Sequence, residues 1–305
     1  MPKKFKGLID FIEKFPDEKT CRKFLAKMRW DGKPVCPFKD CKHDKVYVYN
    51  DEKKYKCAKC RRIFSVRVGT IFEDSKISLQ KWFMAFYLTT AHKKGISSLQ
   101  LGRDLNITQK SAWFMLHRIR ETTRDKAPEI LEGVVEIDEV FIGGKESNKH
   151  KHLRTGSAQE NKTPVIGLLQ RGKEVRTKVL KNVQARQLIP PILHNVKPGS
   201  YIVTDQNSTY KRLQGYYVHV TINHDRGEYA RDAAHVNTLE GFWSHLKRMI
   251  TGIYHQISEK HTHRYCDAMS FRYNTRHLTD VERFYLAISR CEGRLRYKEL
   301  IKDQA

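Results

Sequence analysis

Three acids in the second half of the chain stand where acids are costly. The run Val134–Gly144 (VVEIDEVFIGG) alternates apolar and polar residues as a strand does, with Glu136 and Asp138 on one face. A carboxylate on a strand that packs into a core is expensive unless it is paired or bound to metal. A second strand-like run, Tyr201–Asp205, ends in an aspartate. After 34 further residues comes Glu240, inside a helix-like run from His235 to Arg248. Such acids suit divalent ions. Two ions about 3.5–4 Å apart activate a nucleophile and stabilise a leaving oxygen in phosphoryl transfer. Asp138, Asp205 and Glu240 are therefore the candidate ligands for two Mg²⁺ or Mn²⁺ ions. Glu136 and Glu139 are read as solvated or salt-bridged side chains.

A different chemistry is written in the cysteines. Cys36 and Cys41 form one short pair, and Cys57 and Cys60 form another after a 15-residue spacer. Two tight turns bearing thiolates supply the tetrahedron that a structural Zn²⁺ needs. The β-like segments between them (Lys45–Tyr49 and Lys53–Lys56) would form the hairpin of a zinc ribbon. Such a segment has too little core to fold without its metal. Cys21, Cys266 and Cys291 have no partner in sequence and read as buried or half-buried residues.

A helix-turn-helix pattern lies between these regions. Ser97 caps a short helix through Leu105, Asn106–Thr108 makes a turn, and Thr108 caps a second helix from Gln109 to Arg120. Leu99, Leu105, Ile107, Trp113, Leu116 and Ile119 form its apolar seam. Gln109, Lys110 and Ser111 occupy the exposed first turn, the part of a recognition helix that reaches base edges.

The elements around the acids must bring them together. The pattern predicts strands at 134–142, 164–170 and 174–181, a helix at about 183–195 and a strand at 201–205. A short helix near 208–214, a strand at 217–222 and a long helix from 236 complete the series. Three antiparallel strands, a helix, then strands alternating with helices is the ribonuclease H-like arrangement. The fold class is thus α/β (α+β), a mixed sheet with flanking helices preceded by a zinc ribbon and a helical segment.

The domain reading is a helical segment over 1–30, the ribbon over 31–72 and a helix-turn-helix-like DNA-binding region over 73–128. The catalytic domain follows over 129–290, with a tail over 291–305. The 305 residues are enough for about two or three domains. The 39% hydrophobic content excludes wholesale disorder. No apolar run is long enough to span a membrane, and the start MPKKFKGLID lacks the core of a signal peptide. The expected location is the cytoplasm, on the nucleoid. Lys and Arg outnumber Asp and Glu by 58 to 34, a net charge of +24 that calls for a polyanionic partner, nucleic acid above all.

At this point the chain resembles the zinc-ribbon DDE transposases of bacterial insertion sequences, the ISXO2-like group related to the Merlin elements. The resemblance rests on Cys57–Cys60, Phe64–Phe72, Lys94–Leu101, Ala112–Arg118, Glu136–Lys145, Gly227–Tyr229, Val236–Arg248, Gly252–His255 and Phe271–Asn274. It runs from about residue 20 to 280. It implies metal-dependent DNA cleavage and strand transfer at the ends of a mobile element, with Asp138 and Asp205 as the two aspartates. The third catalytic residue is Glu240 or, as in members that carry asparagine, Asn237. Lys247, two helical turns after Glu240, shares its face and would hold a phosphate or DNA end. Arg118, Lys145 and Arg248, basic residues within the matching stretches, are candidate DNA contacts, as are His224, His235 and the basic loop 145–162. Phe242 and Trp243 either pack the helix onto the sheet or stack a flipped base. Acting on two element ends calls for a homo-oligomer assembled on DNA. A structure-specific nuclease on the same fold and a non-catalytic zinc-ribbon regulator are the alternatives.

Overall fold

Pro16 and Asp17 break the first helical stretch in two: α1 (Leu8–Lys14) and α2 (Glu18–Trp30). The Asp17 carboxylate accepts from Thr20 N at 2.7 Å and caps the second helix. The computed structural model describes residues 5–49, 52–144, 150–153, 162–205, 207–222 and 235–302. Three short strands follow, β1 (Val46–Val48), β2 (Tyr55–Cys57) and β3 (Ile63–Phe64), and then helices α3 (Leu79–Ala91), α4 (Ser98–Leu105) and α5 (Gln109–Thr123). The second half holds β4 (Val134–Ile142), β5 (Thr163–Gln170), β6 (Val175–Val179), α6 (Ala185–Asn195), β7 (Tyr201–Thr204) and β8 (Val218–Thr221). Helices α7 (Asn237–Met249), α8 (Thr262–Asn274), α9 (Asp280–Ser289) and α10 (Tyr297–Ile301) end the chain.

Two compact units result: residues 1–123 with 278–305, and residues 124–277. The chain therefore leaves the first unit after α5 and returns to it for α9 and α10. Residues 278–290, expected with the sheet, and 291–305, expected as a tail, both belong to the first unit. What draws α9 back is aromatic. Phe284 is fully buried, with its ring 5.5 Å from Phe11 and 6.2 Å from Phe83. Ser97 and Thr108 cap α4 and α5 as expected, accepting from Gln100 N at 3.1 Å and Ser111 N at 3.3 Å. Leu99 departs from its expected place in the seam and is 53% exposed. Cys21, Cys266 and Cys291 are buried.

In the second unit five strands form one sheet in the order β6-β5-β4-β7-β8. β4 and β5 pair antiparallel, as do β5 and β6, whereas β4, β7 and β8 run parallel. This is the arrangement predicted from the sequence. The run TPVIGLLQ of β5 is buried at every position, because both of its faces are covered. On one side lie Leu239, Phe242, Trp243 and Leu246 of α7 with Cys266 and Met269 of α8. On the other lie Leu188 and Ile192 of α6 with Tyr210 and Leu213. No helix among the described residues is long and apolar enough to cross a membrane.

Candidate functional site

The central strand carries the site. In the parallel pairing of β4 with β7, Glu136 sits opposite Val203. Two residues further on, Asp138 comes level with Asp205, just past the end of β7. Asp138 points toward α7, where Trp243 Nε1 donates to its Oδ2 at 3.0 Å. Glu139 points to the opposite face and accepts from the Tyr210 hydroxyl at 2.6 Å. Carboxylate oxygens of Asp138, Glu139 and Asp205 nevertheless lie within 4.8 Å of one another. They meet around the edge of β4 that is laid bare where β7 stops.

The electrostatics of this cluster are strained in a way a cation relieves. Burial pushes the Asp138 carboxyl up to about 6, and the negative charges of Asp205 and Glu240 add to it against the Trp243 hydrogen bond. Burial likewise pushes Glu139 up to about 7, helped by Asp205 and Asp138 and opposed by the Tyr210 hydroxyl. Close, poorly hydrated carboxylates that resist ionisation are the donor set a hard divalent ion suits.

From its sequence Glu139 is expected to be a solvated or salt-bridged acid. The structure corrects this by placing it inside the cluster. The available signal was its position next to Asp138 near the point where the neighbouring parallel strand ends.

Glu240 lies on the exposed side of α7. It acts on Asp138 by charge but is not one of the three acids that converge. Asn237 opens α7 and is exposed, as are Lys247 and Arg248 in its last turn. Glu240, Trp243 and Lys247 follow one stripe of the helix by their spacing. Phe242 and Trp243 are both buried, so they pack the helix on the sheet.

Two devices hold α7 in place. Gly167 of β5 pairs with Asp138. A Cβ at that glycine would stand 2.5 Å from Cζ2 of Trp243, so the indole can lie on the sheet and reach Asp138 because this position has no side chain. The second device is Glu136, which is fully buried. Its Oε1 accepts from Arg171 Nε at 2.7 Å and its Oε2 from Leu239 N, in the first turn of α7, at 2.9 Å. Arg171 also donates to the His235 carbonyl at 2.6 Å, and His235 Nδ1 lies 3.5 Å from Glu136. Glu136 is thus the salt-bridged acid the sequence suggested, but a buried one that clamps the start of α7. His235, expected at a DNA surface, belongs to this clamp.

The four cysteines converge as their spacing predicts. The sulfurs of Cys36, Cys41, Cys57 and Cys60 lie within 4.8 Å of one another, with Cys36–Cys60 at 3.8 Å and Cys41–Cys57 at 3.6 Å. A tetrahedron of Zn–S bonds near 2.3 Å has edges of about 3.8 Å, so the cluster fits zinc. Arg62 Nε donates to Cys60 Sγ at 3.4 Å and draws that thiol well below its ordinary range.

The DNA-contact expectations separate. Gln109 and Lys110 are exposed at the start of α5, and Ser111 is half-buried there. Lys110 Nζ stands 5.3 Å from the ring centre of Tyr297. Arg118 is only 5% exposed. Its guanidinium donates to the carbonyls of Leu295, Ile71 and Glu73, which corrects the reading of it as a DNA contact. Lys145, His224 and most of the 145–162 loop lie outside the described residues.

Comparison with known proteins gives the family. The ISXO2-like transposase domain matches residues 130–274, and the transposase zinc-ribbon domain matches residues 16–62. The chain is 29% identical over 256 residues to an uncharacterised protein in the transposable element ISH50 of Halobacterium salinarum. That alignment spans 79% of this chain and 85% of the relative. It is 32% identical over 102 residues to an uncharacterised transposase-like protein of Haemophilus influenzae, across 33% of this chain and 81% of the relative. The chain belongs to the ISXO2-like transposase family.

Proposed function

We propose that this protein cleaves DNA at the ends of an insertion sequence and joins the freed 3′-hydroxyl to a target. The observation that carries the reading is the convergence of Asp138 and Glu139, in the middle of β4, with Asp205, just past the end of the parallel neighbour β7. Asp138 and Asp205 are the primary metal ligands, with Glu240 or Asn237 completing the set from α7. Bound Mg²⁺ or Mn²⁺ would supply Lewis-acid activation of a water or 3′-hydroxyl and would stabilise the leaving oxygen. Trp243 holds the Asp138 carboxylate in one orientation. Lys247 and Arg248 offer positive charge to phosphates, and Gln109, Lys110 and Ser111 contact the element end. Cys36, Cys41, Cys57 and Cys60 hold a structural Zn²⁺. The active assembly is a homo-oligomer on DNA in the cytoplasm, at the nucleoid.

The test is a strand-transfer assay with labelled element-end DNA, Mg²⁺ or Mn²⁺ and a supercoiled target. Joined product is the expected result. Cleavage without joining would mark a nuclease, and binding without cleavage a regulator.

The raised carboxyls give the metal site a pH signature. The folded, metal-free protein keeps protons that the unfolded chain releases near pH 4. Asp138 and Glu139 therefore favour the fold below about pH 4, and that contribution is lost as pH rises through about 6 and 7. A divalent ion binds their ionised forms. Mn²⁺ is expected to raise Tm more at pH 8 than at pH 5.5, as read by scanning calorimetry. Equal rises would count against a metal site there.

Zinc has a separate readout. The purified chain is expected to hold about one Zn²⁺ by atomic emission. Cys57→Ser should lose the metal and open the ribbon to protease, since the ribbon's folding free energy is the metal's binding free energy. A metal-free ribbon that resists protease would refute the assignment.

A further inference from the structure

The functional reading above leaves one face of the ribbon sheet without a role. In this sheet Tyr47 pairs with Lys56, and Lys56 pairs with Ile63, so the three stand in a row on one face. Tyr49 N bonds the Lys54 carbonyl at 3.1 Å, and Ala58 N bonds that of Lys45 at 3.0 Å, which continues the ladder in both directions. Alternation then puts Lys45, Tyr47, Tyr49, Lys54, Lys56 and Ile63 on the same side.

The opposite face is packed at Tyr55 and Phe64, with Val48 at its edge 51% exposed. Tyr55 and Phe64 stack there at 5.6 Å, and Trp30 meets Tyr55 edge-on at 5.0 Å. The outer face is open. Tyr47 is 52% exposed, Tyr49 44% and Ile63 54%. Neither Tyr47 nor Tyr49 meets another ring among the described residues, and Lys45, Lys54 and Lys56 form no ion pair among them. Two bare tyrosines about 7 Å apart on one strand, bordered by three cations and no acid of that row, make a poor surface for solvent. They make a good one for a polyanion with flat rings.

We propose that this face is a platform for unpaired bases of DNA. Tyr47 and Tyr49 each take the face of one base, while Lys45, Lys54 and Lys56 meet the phosphates. Every base has a π-face, so such a contact tolerates sequence; a closed duplex hides those faces inside its stack. The cations act on either form and make the affinity fall with salt. The inference rests on the reading of the protein as one that acts on DNA, and it assigns the ribbon to strands opened at the cut end. It places this contact on a surface separate from the first turn of α5.

The experiment uses the full chain and fluorescence anisotropy, with a labelled single strand and a closed hairpin duplex of the same sequence. Tyr47→Ala with Tyr49→Ala is expected to weaken single-strand binding at least ten-fold and duplex binding less than about two-fold. Tyr47→Phe with Tyr49→Phe should bind as wild type does. Lys54→Ala with Lys56→Ala should weaken both and lower the salt slope on single strand by about 1.4. Zinc content, measured in each variant, reports that the ribbon is folded. Wild-type single-strand binding by the alanine pair, or equal losses on both DNAs, would overturn the proposal. The anisotropy is read without added Mg²⁺ or Mn²⁺, so it does not depend on the acids that would hold those ions. A failed strand-transfer assay beside a positive tyrosine result would therefore remove the catalytic reading alone.

Discussion

Asp205→Ala is expected to leave no joined product in the strand-transfer assay, a loss of at least about 10³-fold. A metal ion contributes several kcal/mol of charge stabilisation to such a transition state, and about 4 kcal/mol corresponds to that factor. Asp205 is well suited to the demand because it follows directly on β7, with Oδ1 accepting from Asn207 N at 3.1 Å. Its backbone position is thereby set before any ion arrives. The variant should fold normally, since it removes charge from a cluster in which burial and like charges already oppose ionisation of Asp138 and Glu139. An unchanged or raised Tm with joining abolished is the expected pair of results. Joining at the wild-type rate would end the two-aspartate reading of this site.

The second large effect is on stability. Glu136→Ala is expected to cost about 3–5 kcal/mol, because it leaves Arg171 without its carboxylate partner and Leu239 N without its acceptor. For a unit spanning residues 124–277 that is a fall in Tm on the order of 10 °C. Glu136→Gln keeps an acceptor for Leu239 N and should lose less. Glu136→Met with Arg171→Met should recover much of the loss, since removing both members of a buried pair is often near neutral. A double variant no more stable than Glu136→Ala would show that the pair does more than neutralise itself. If strand transfer stays impaired in a recovered double variant, the clamp also sets where Glu240 stands.

The elements of the sheet were legible because each carries a plain signal. β5 is an unbroken apolar run buried on both faces, β7 is a short apolar run closed by Asp205, and α7 keeps Leu239, Phe242, Trp243 and Leu246 at helical spacing. The cysteines were legible because metal geometry constrains spacing.

Glu139 was not legible. Alternation along β4 puts it opposite Asp138, and only the early end of β7 lets the two meet. Arg118 looked like a DNA contact because charge is visible in a sequence and burial against carbonyls is not. Glu136 could be read as paired, yet its partners come from Arg171 and from Leu239, 103 residues away. The return of α9 was hidden for the same reason, as its ring partners are Phe5, Phe11, Phe15 and Phe24 near the start of the chain and Phe83 of α3.

That return fixes an order of events at the ribosome. The first unit needs Phe284 and the carbonyl of Leu295, the partner of Arg118 Nε, before its interior is closed. Residues 124–277 are made in between, and at about 5–20 residues per second that takes roughly 8–30 s. During that interval α1–α5 must wait with aromatic surface uncovered, while the sheet that carries the acids is already being completed. Synthesis therefore finishes the proposed catalytic body first and the proposed DNA-holding body last. A chain truncated after the sheet would carry the acids without a finished unit to bring DNA to them.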